Sequence, residues 1–322
     1  MDKNIELKNG LYILFKNKNI IQRTEINDNT IKELSSLDYR IDIQNFCDCD
    51  LSDLDNEIGN LAVSIKFSEI SETELRNIIN RCYEIVDIIK SRNATLGALL
   101  TGTFENIVSN KKLLLEFEAR RSLEDAALAL SVRLYEVLHI QRKVKNFFPC
   151  IKHIDIIGKY INELVPKAVL CKTINMYENG IERTYLFFDY VKDYYEYLMF
   201  LFYNRKETVC ECELCNRYFI PKTKKKTLYC DRVFKDGKTC KQIGPTQKYK
   251  TLAENDIVLK TFEKEKNKMY KRMERTSSFG ETPKSISYDE YVDWLNMSVN
   301  AKNMYLNNEL TEIEALRIIQ TD

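Results

Sequence analysis

The sequence predicts a mainly α protein of the α+β class: a helical body with a small N-terminal β region, a β-hairpin and an embedded four-cysteine module. Three observations lead there. Nine glycines and five prolines in 322 residues leave little room for long loops. Ser/Thr-x-x-Glu capping boxes stand before runs whose apolar residues recur three and four apart. Five of the ten cysteines fall between Val209 and Gly244. With 44% hydrophobic and 30% charged residues, the chain can bury a sizeable core, in one large domain or in two or three modest ones.

In chain order, "GLYILFKN", "YRIDIQNF" and "LAVSIKF" alternate loosely between Asn/Asp-rich pieces, which predicts short strands and an N-terminal β-rich region over 1–70. Cys47 and Cys49 form a C-x-C pair in that region, two thiols that would need ligands from elsewhere to hold a metal. A helical core domain is expected over 71–204. Ser71 and Glu74 make a capping box. Leu75, Ile78, Ile79, Cys82, Ile85, Val86 and Ile89 behind it share one helix face, which makes Cys82 a core thiol.

Ser122 and Asp125 are expected to open a second helix, with Leu130, Leu134, Val137 and Leu138 as its buried stripe, running to about Phe147. "INMYENGIERTYLFF" reads as the β-hairpin, placed near 169–188, because Asn179 and Gly180 both accept positive φ at a tight turn. The aromatic-rich "YVKDYYEYLMFLFYNR" is a buried helix that leads into the cysteine module, placed at 205–250. A helical tail follows over 251–322. It comprises a basic helix from Glu254 to Arg275 with Phe262, Met269, Tyr270 and Met273 on its apolar side, a linker-like "TSSFGETPKS", and two helices opened by the capping boxes Ser287/Glu290 and Thr311/Glu314.

Composition also narrows function. No run approaches the roughly 20 apolar residues of a membrane span, and "MDKNIELKNG" lacks the apolar core of a signal peptide, so a cytoplasmic protein with no membrane role is expected. In a reducing compartment, clustered cysteines point to metal or catalysis rather than to disulfides. Catalysis has little to stand on. There is no Walker loop, G-x-G-x-x-G, H-E-x-x-H or G-x-S-x-G. The two histidines, His139 inside a helix and His153 after Pro149, lack a motif that would name a base or a ligand. The chain is therefore not expected to be an enzyme.

In "VCECELCNRYFIPKTKKKTLYCDRVFKDGKTCKQIG", Cys212 and Cys215 have the C-x2-C spacing that lets one tight turn aim two thiolates at a single ion. Fourteen residues separate Cys215 from Cys230, and nine separate Cys230 from Cys240. The second gap is long for a zinc module, but a turn at Asp236-Gly237 would fold it into a hairpin and return Cys240 to Cys230 at the start of a helix near Lys241, where a treble-clef finger places its last ligand. Cys212, Cys215, Cys230 and Cys240 are thus the expected ligands of one structural Zn2+. Cys210 competes with Cys212 as the first, and the C-x2-C spacing favours Cys212. Four thiolates at about 2.3 Å close the site and leave no position for water or substrate.

Charge is unevenly spread. Arg205 to Arg275 carry 20 Lys and Arg against 10 Asp and Glu, which leaves −9 for the rest of a chain whose net charge is +1. Lys222, Lys224, Lys225, Lys226, Arg232, Lys235, Lys238 and Lys241 would surround the zinc site with cations suited to phosphates of DNA or RNA. Tyr218, Phe219, Tyr229 and Phe234 lie among them as candidate base-stacking groups. The competing reading packs Phe219 and Phe234 in a small core around the metal and treats the lysines as a solvated face. The acidic N-terminal part is then a candidate surface for a protein partner or for self-association.

The segments "CELCNRYFIP", "LYCDR" and "GKTCKQIG", followed by a basic helix and "YDEYVDWLNMSVNAKN", resemble an uncharacterised bacterial family built from a helical N-terminal region, a zinc-knuckle or treble-clef module and a helical tail. The resemblance runs from about Tyr185 to the end. More distantly, the cysteine segment is similar to the CGNR-type zinc finger of presumed bacterial transcription regulators, which implies DNA binding; the Gly-Asn-Arg segment that names that finger does not occur here. Together these features lead to a zinc-binding, nucleic-acid-binding regulatory, defence or mobile-element protein. The alternative is a zinc-stabilised scaffold for protein contacts.

Overall fold

The structure, a computed structural model, describes residues 8–17, 20–27, 30–67, 70–112, 119–169, 171–178, 181–223, 227–279 and 284–320. The chain divides into two compact units: Met1–Glu211 with Arg217–Thr227, and Cys212–Asn216 with Leu228–Asp322.

The larger unit holds one antiparallel sheet of β1 (Gly10–Phe15), β2 (Ile20–Asn27), β3 (Thr30–Asp38), β4 (Lys172–Glu178) and β5 (Ile181–Phe188), in the order β3-β2-β1-β5-β4. The N-terminal strands and the distant hairpin are therefore one sheet, joined where Leu11 pairs with Phe188 and Ile13 with Leu186. The pairing of Glu178 with Ile181 leaves a two-residue connection, as the hairpin reading requires; Asn179 and Gly180 themselves lie outside the described residues.

Two expected strands are helices instead. "YRIDIQNF" lies in α1 (Tyr39–Asp48), where Tyr39, Asp42, Ile43 and Phe46 are buried at spacings of three and four, and Asp38 caps the first turn by accepting from the Arg40 amide. "LAVSIKF" ends α2 (Ser52–Phe67), whose inner face is Leu54, Ile58 and Leu61. The alternation of apolar with polar residues, Ile41-Asp42-Ile43 in one and Val63-Ser64-Ile65-Lys66-Phe67 in the other, concealed both helical stripes. The β part of the N-terminus ends at Asp38.

Helices α3 (Glu72–Arg92), α4 (Ala94–Lys112), α5 (Ala119–Lys152), α6 (Ile154–Leu164) and α7 (Val191–Asn204) complete the body. The Ser71/Glu74 box is formed, with the Ser71 amide donating to Glu74 at 2.8 Å. Leu75, Cys82, Ile85, Val86 and Ile89 are buried. The Cys82 sulfur lies 3.8 Å from Ser131 Oγ, and burial pushes its thiol up to about 11, as befits a core thiol. Helix α5 already runs from Ala119, so Ser122 falls within its first turn rather than at its cap. Its Leu130, Leu134, Val137 and Phe147 are buried, and Phe147 meets Phe202 of α7 edge-to-face at 5.7 Å. Two turns earlier on the same face of α7, Tyr195 stacks on Phe46 with centroids 3.7 Å apart. After α7, β6 (Cys210–Glu211) pairs with β7 (Tyr218–Phe219).

The smaller unit contains β8 (Val233–Lys235), β9 (Lys238–Thr239), α8 (Cys240–Asn255), α9 (Ile257–Phe279), α10 (Tyr288–Leu306) and α11 (Glu312–Ile319). The basic helix expected from Glu254 is broken at Asp256, whose carboxylate accepts from the Leu259 amide at 2.9 Å and so opens α9 as a new helix. Phe262 and Met269 are buried as expected, whereas Tyr270 is exposed. Helix α9 continues through Phe279 into the expected linker, of which 280–283 lie outside the described residues. Both later capping boxes are formed. Val258, Phe262, Ala301, Ala315 and Ile319 make the core of these helices, and Trp294 is buried on α10. No described helix is long and apolar enough to cross a membrane.

Candidate metal centre

The first pair of cysteines sits in a turn. The Asn216 amide donates to the Cys212 carbonyl at 2.9 Å, and Asn216 takes φ 54°, a left-handed conformation that asparagine tolerates and that ends the turn tightly. The Glu213 amide donates to the Leu228 carbonyl at 2.9 Å, which ties this turn to the chain arriving at Cys230. There the Cys230 amide points at the Cys212 sulfur, 3.4 Å away.

The second pair is brought together by the β8–β9 hairpin. Asp236 and Gly237 both have positive φ, 50° and 71°, the requirement of a two-residue turn whose twist matches its strands. Lys235 pairs with Lys238, and the Cys240 and Lys241 amides donate to the Arg232 and Cys230 carbonyls at 2.9 and 3.0 Å. The nine-residue gap is therefore a folded ribbon, and Cys240 opens α8. The Thr239 amide donates to Gln242 Oε1 at 2.8 Å at this helix start. Behind the ribbon, the buried Tyr229 ring lies against Gly244 so closely that a Cβ there would run into it.

These two constructions place the sulfurs of Cys212, Cys215, Cys230 and Cys240 within 4.8 Å of one another. Cys215 and Cys230 are 3.7 Å apart, close to the edge of about 3.8 Å of a tetrahedron with metal–sulfur distances of about 2.3 Å. Cys212, Cys230 and Cys240 are buried and Cys215 half-buried. Such a group is able to hold a metal ion. Burial opposes ionisation of Cys212, but the amides of Cys215, Cys230 and Leu214 outweigh it and bring the thiol down to about 7. Cys230 and Cys240 are pushed up, first by burial. Donated backbone hydrogen bonds thus favour one thiolate, and a cation would favour the rest. Cys210, the competitor for first ligand, pairs with Phe219 in β6 and is not part of the group. Cys47 and Cys49 are also outside it.

The expected phosphate contacts divide. Lys235, Lys238 and Lys241 are exposed and Arg232 is half-buried, all in the unit that holds the sulfurs. Lys222 is exposed but belongs to the larger unit, and Lys224, Lys225 and Lys226 lie outside the described residues. Lys248 is engaged with Glu213 at 2.8 Å. Among the four aromatics, Phe219 and Tyr229 are buried and Tyr218 is half-buried. Phe234, also read as a core residue around the metal, is exposed, because a ribbon of two short strands has no second layer to cover it. His139 and His153 are both exposed.

One constellation had no signal in the sequence. Inside the larger unit, buried Asp42 accepts from Tyr194 Oη at 2.5 Å and Thr95 Oγ1 at 3.2 Å, with the buried Arg23 guanidinium at 3.6 Å, and Arg23 also donates to Thr95. Burial raises the Asp42 carboxyl, while Arg23 and the two hydroxyls oppose the rise. Both carboxylate oxygens of Asp42 thus face partners within the core, as a buried charge requires.

Residues 185–313 match DUF6076, a family described as of unknown function. The match covers less than half of the chain, begins in β5, and includes all four clustered cysteines and α10. It agrees with the resemblance to an uncharacterised family over this region. No curated protein and no solved structure matches the chain.

Proposed function

We propose that Cys212, Cys215, Cys230 and Cys240 hold one structural zinc ion in a treble-clef-like module, and that this module binds nucleic acid in a bacterial regulatory, defence or mobile-element protein. The observation that carries the reading is the closed group of four sulfurs whose second pair is joined by a ribbon bearing exposed Lys235, Lys238 and, just beyond, Lys241. Four soft sulfur ligands within 4.8 Å of one another suit zinc, which favours a tetrahedron of thiolates. They leave it no open position, so its work is to hold the backbone, and the cations it positions supply sequence-independent attraction to phosphates. The distant likeness to CGNR-type fingers supports the same reading.

Metal analysis of the purified protein should return one zinc per chain. Affinity for random duplex and single-stranded DNA should fall steeply with salt, and replacing Lys235, Lys238 and Lys241 by Glu should weaken it at every salt concentration. No binding at about 50 mM salt would overturn the nucleic-acid part. That outcome would favour a zinc-stabilised scaffold for protein contacts, to which the exposed Val233 lends itself.

A further inference from the structure

We propose that the β8–β9 ribbon is a base-stacking tip for single-stranded nucleic acid, with Phe234 as its stacking platform; this inference rests on the nucleic-acid reading above. Three observations converge on the tip. Val233 is 69% exposed and Phe234 44% exposed, and Lys235 beside them is exposed as well. Two neighbouring apolar side chains in water on a strand of three residues do nothing for the core. The register shifts between Val233 and Lys235 opposite Thr239, a bulge of the kind that re-aims a side chain out of the ordinary alternation.

The tip is held rather than loose. Its turn has no residue beyond Asp236 and Gly237, and its base is bound through the Cys240 and Lys241 amides to the backbone of Arg232 and Cys230, at the sulfur group itself. A metal ion there would fix the direction in which Phe234 projects.

The chemistry of the tip selects its occupant. An apolar groove of a protein would take Val233 and Phe234 but would have to desolvate Lys235 and Lys238, which face each other across the ribbon. An acidic protein surface would take the lysines and leave the aromatic ring idle. Unpaired bases offer a π-face with phosphates on either side, and so use both. In a duplex the bases are already stacked, and entry by Phe234 would have to unstack them, so the single strand is preferred.

The test uses the full-length, metal-loaded protein and two labelled oligonucleotides of equal length, one of thymidines and one with abasic sites, at several salt concentrations. The thymidine strand should bind about tenfold more tightly. Phe234→Ala should abolish that ratio and keep the salt dependence, while Phe234→Trp should retain the ratio. Lys235→Gln with Lys238→Gln should flatten the salt dependence and leave the ratio unchanged. Because the side chain is exposed, metal content and helical signal should match the wild type in each variant. Equal affinities of the wild type for the two strands, as expected of a tip built for a protein groove, would overturn the stacking role, as would a ratio that survives Phe234→Ala. Failure to bind either strand at about 50 mM salt would instead overturn the nucleic-acid reading on which this one rests.

Discussion

Helix α7 buries six of its fourteen residues, with Phe202, Tyr194 and Tyr195 fully out of solvent, whereas between Leu228 and Cys240 only Tyr229, Cys230 and Cys240 are buried. The first segment is held by apolar area and interlocked rings, which contribute about 25 cal/mol for each Å2 removed from water. The second has almost none of that area to use. Its backbone follows a fixed path because two turns and a ribbon converge on four sulfurs. The difference teaches that the two segments should respond to different perturbations, one to lost volume and the other, on the proposed metal reading, to lost sulfurs.

The largest effect is expected from the sulfurs. Cys240→Ser should abolish metal retention and remove on the order of 10 kcal/mol of folding free energy from the cysteine segment. Proteolysis should then cut between Leu228 and Cys240 while amide protection in α5 and α7 persists; loss of protection in α7 as well would mean that the two segments are not independently held. Acid should mimic the substitution. Each sulfur must shed its proton to bind, so metal should be held at high pH and released as pH falls. A metal-sensitive dye followed from pH 8 downward should register the release.

Next in size, Phe147→Ala should cost about 3–5 kcal/mol in denaturant unfolding through the cavity it leaves beside Phe202, with metal content unchanged. Smaller still, Gly244→Ala sharpens the comparison, because helix propensity alone would favour the alanine. Against the Tyr229 ring, however, the added methyl should cost about 1–3 kcal/mol and raise the ease of metal loss to a chelator. An alanine that stabilised the protein would mean that Tyr229 is free to move aside.

What could be read from the sequence was what is local. The capping boxes at Ser71, Ser287 and Thr311, the hairpin around Asn179, and the Asp236-Gly237 turn that makes sense of the cysteine spacing each depend on a few adjacent residues; the boxes and the Asp236-Gly237 turn are formed, and the strands on either side of Asn179 pair as expected. What could not be read depends on distant partners. Helix α1 was hidden because one of its inward positions is Asp42, a residue that belongs in a core only if Arg23, Thr95 and Tyr194 arrive from three other elements. The five-stranded sheet was hidden because β1 and β5 pair across most of the larger unit's length. Phe234 was ambiguous because sequence does not say which aromatic of so small a ribbon lacks a cover.

The four sulfurs are delivered as two short-range pairs, Cys212 with Cys215 in one turn and Cys230 with Cys240 in one ribbon, separated by fourteen residues. An ion caught by either pair meets the other at an effective concentration on the order of millimolar, whatever the concentration of protein. On the proposed metal reading, release should then require both clamps to be open at once, since an ion dropped by one would be recaptured before it diffuses away. A competing chelator should therefore strip the ion at a rate that levels off as chelator is added, limited by how often the two clamps part.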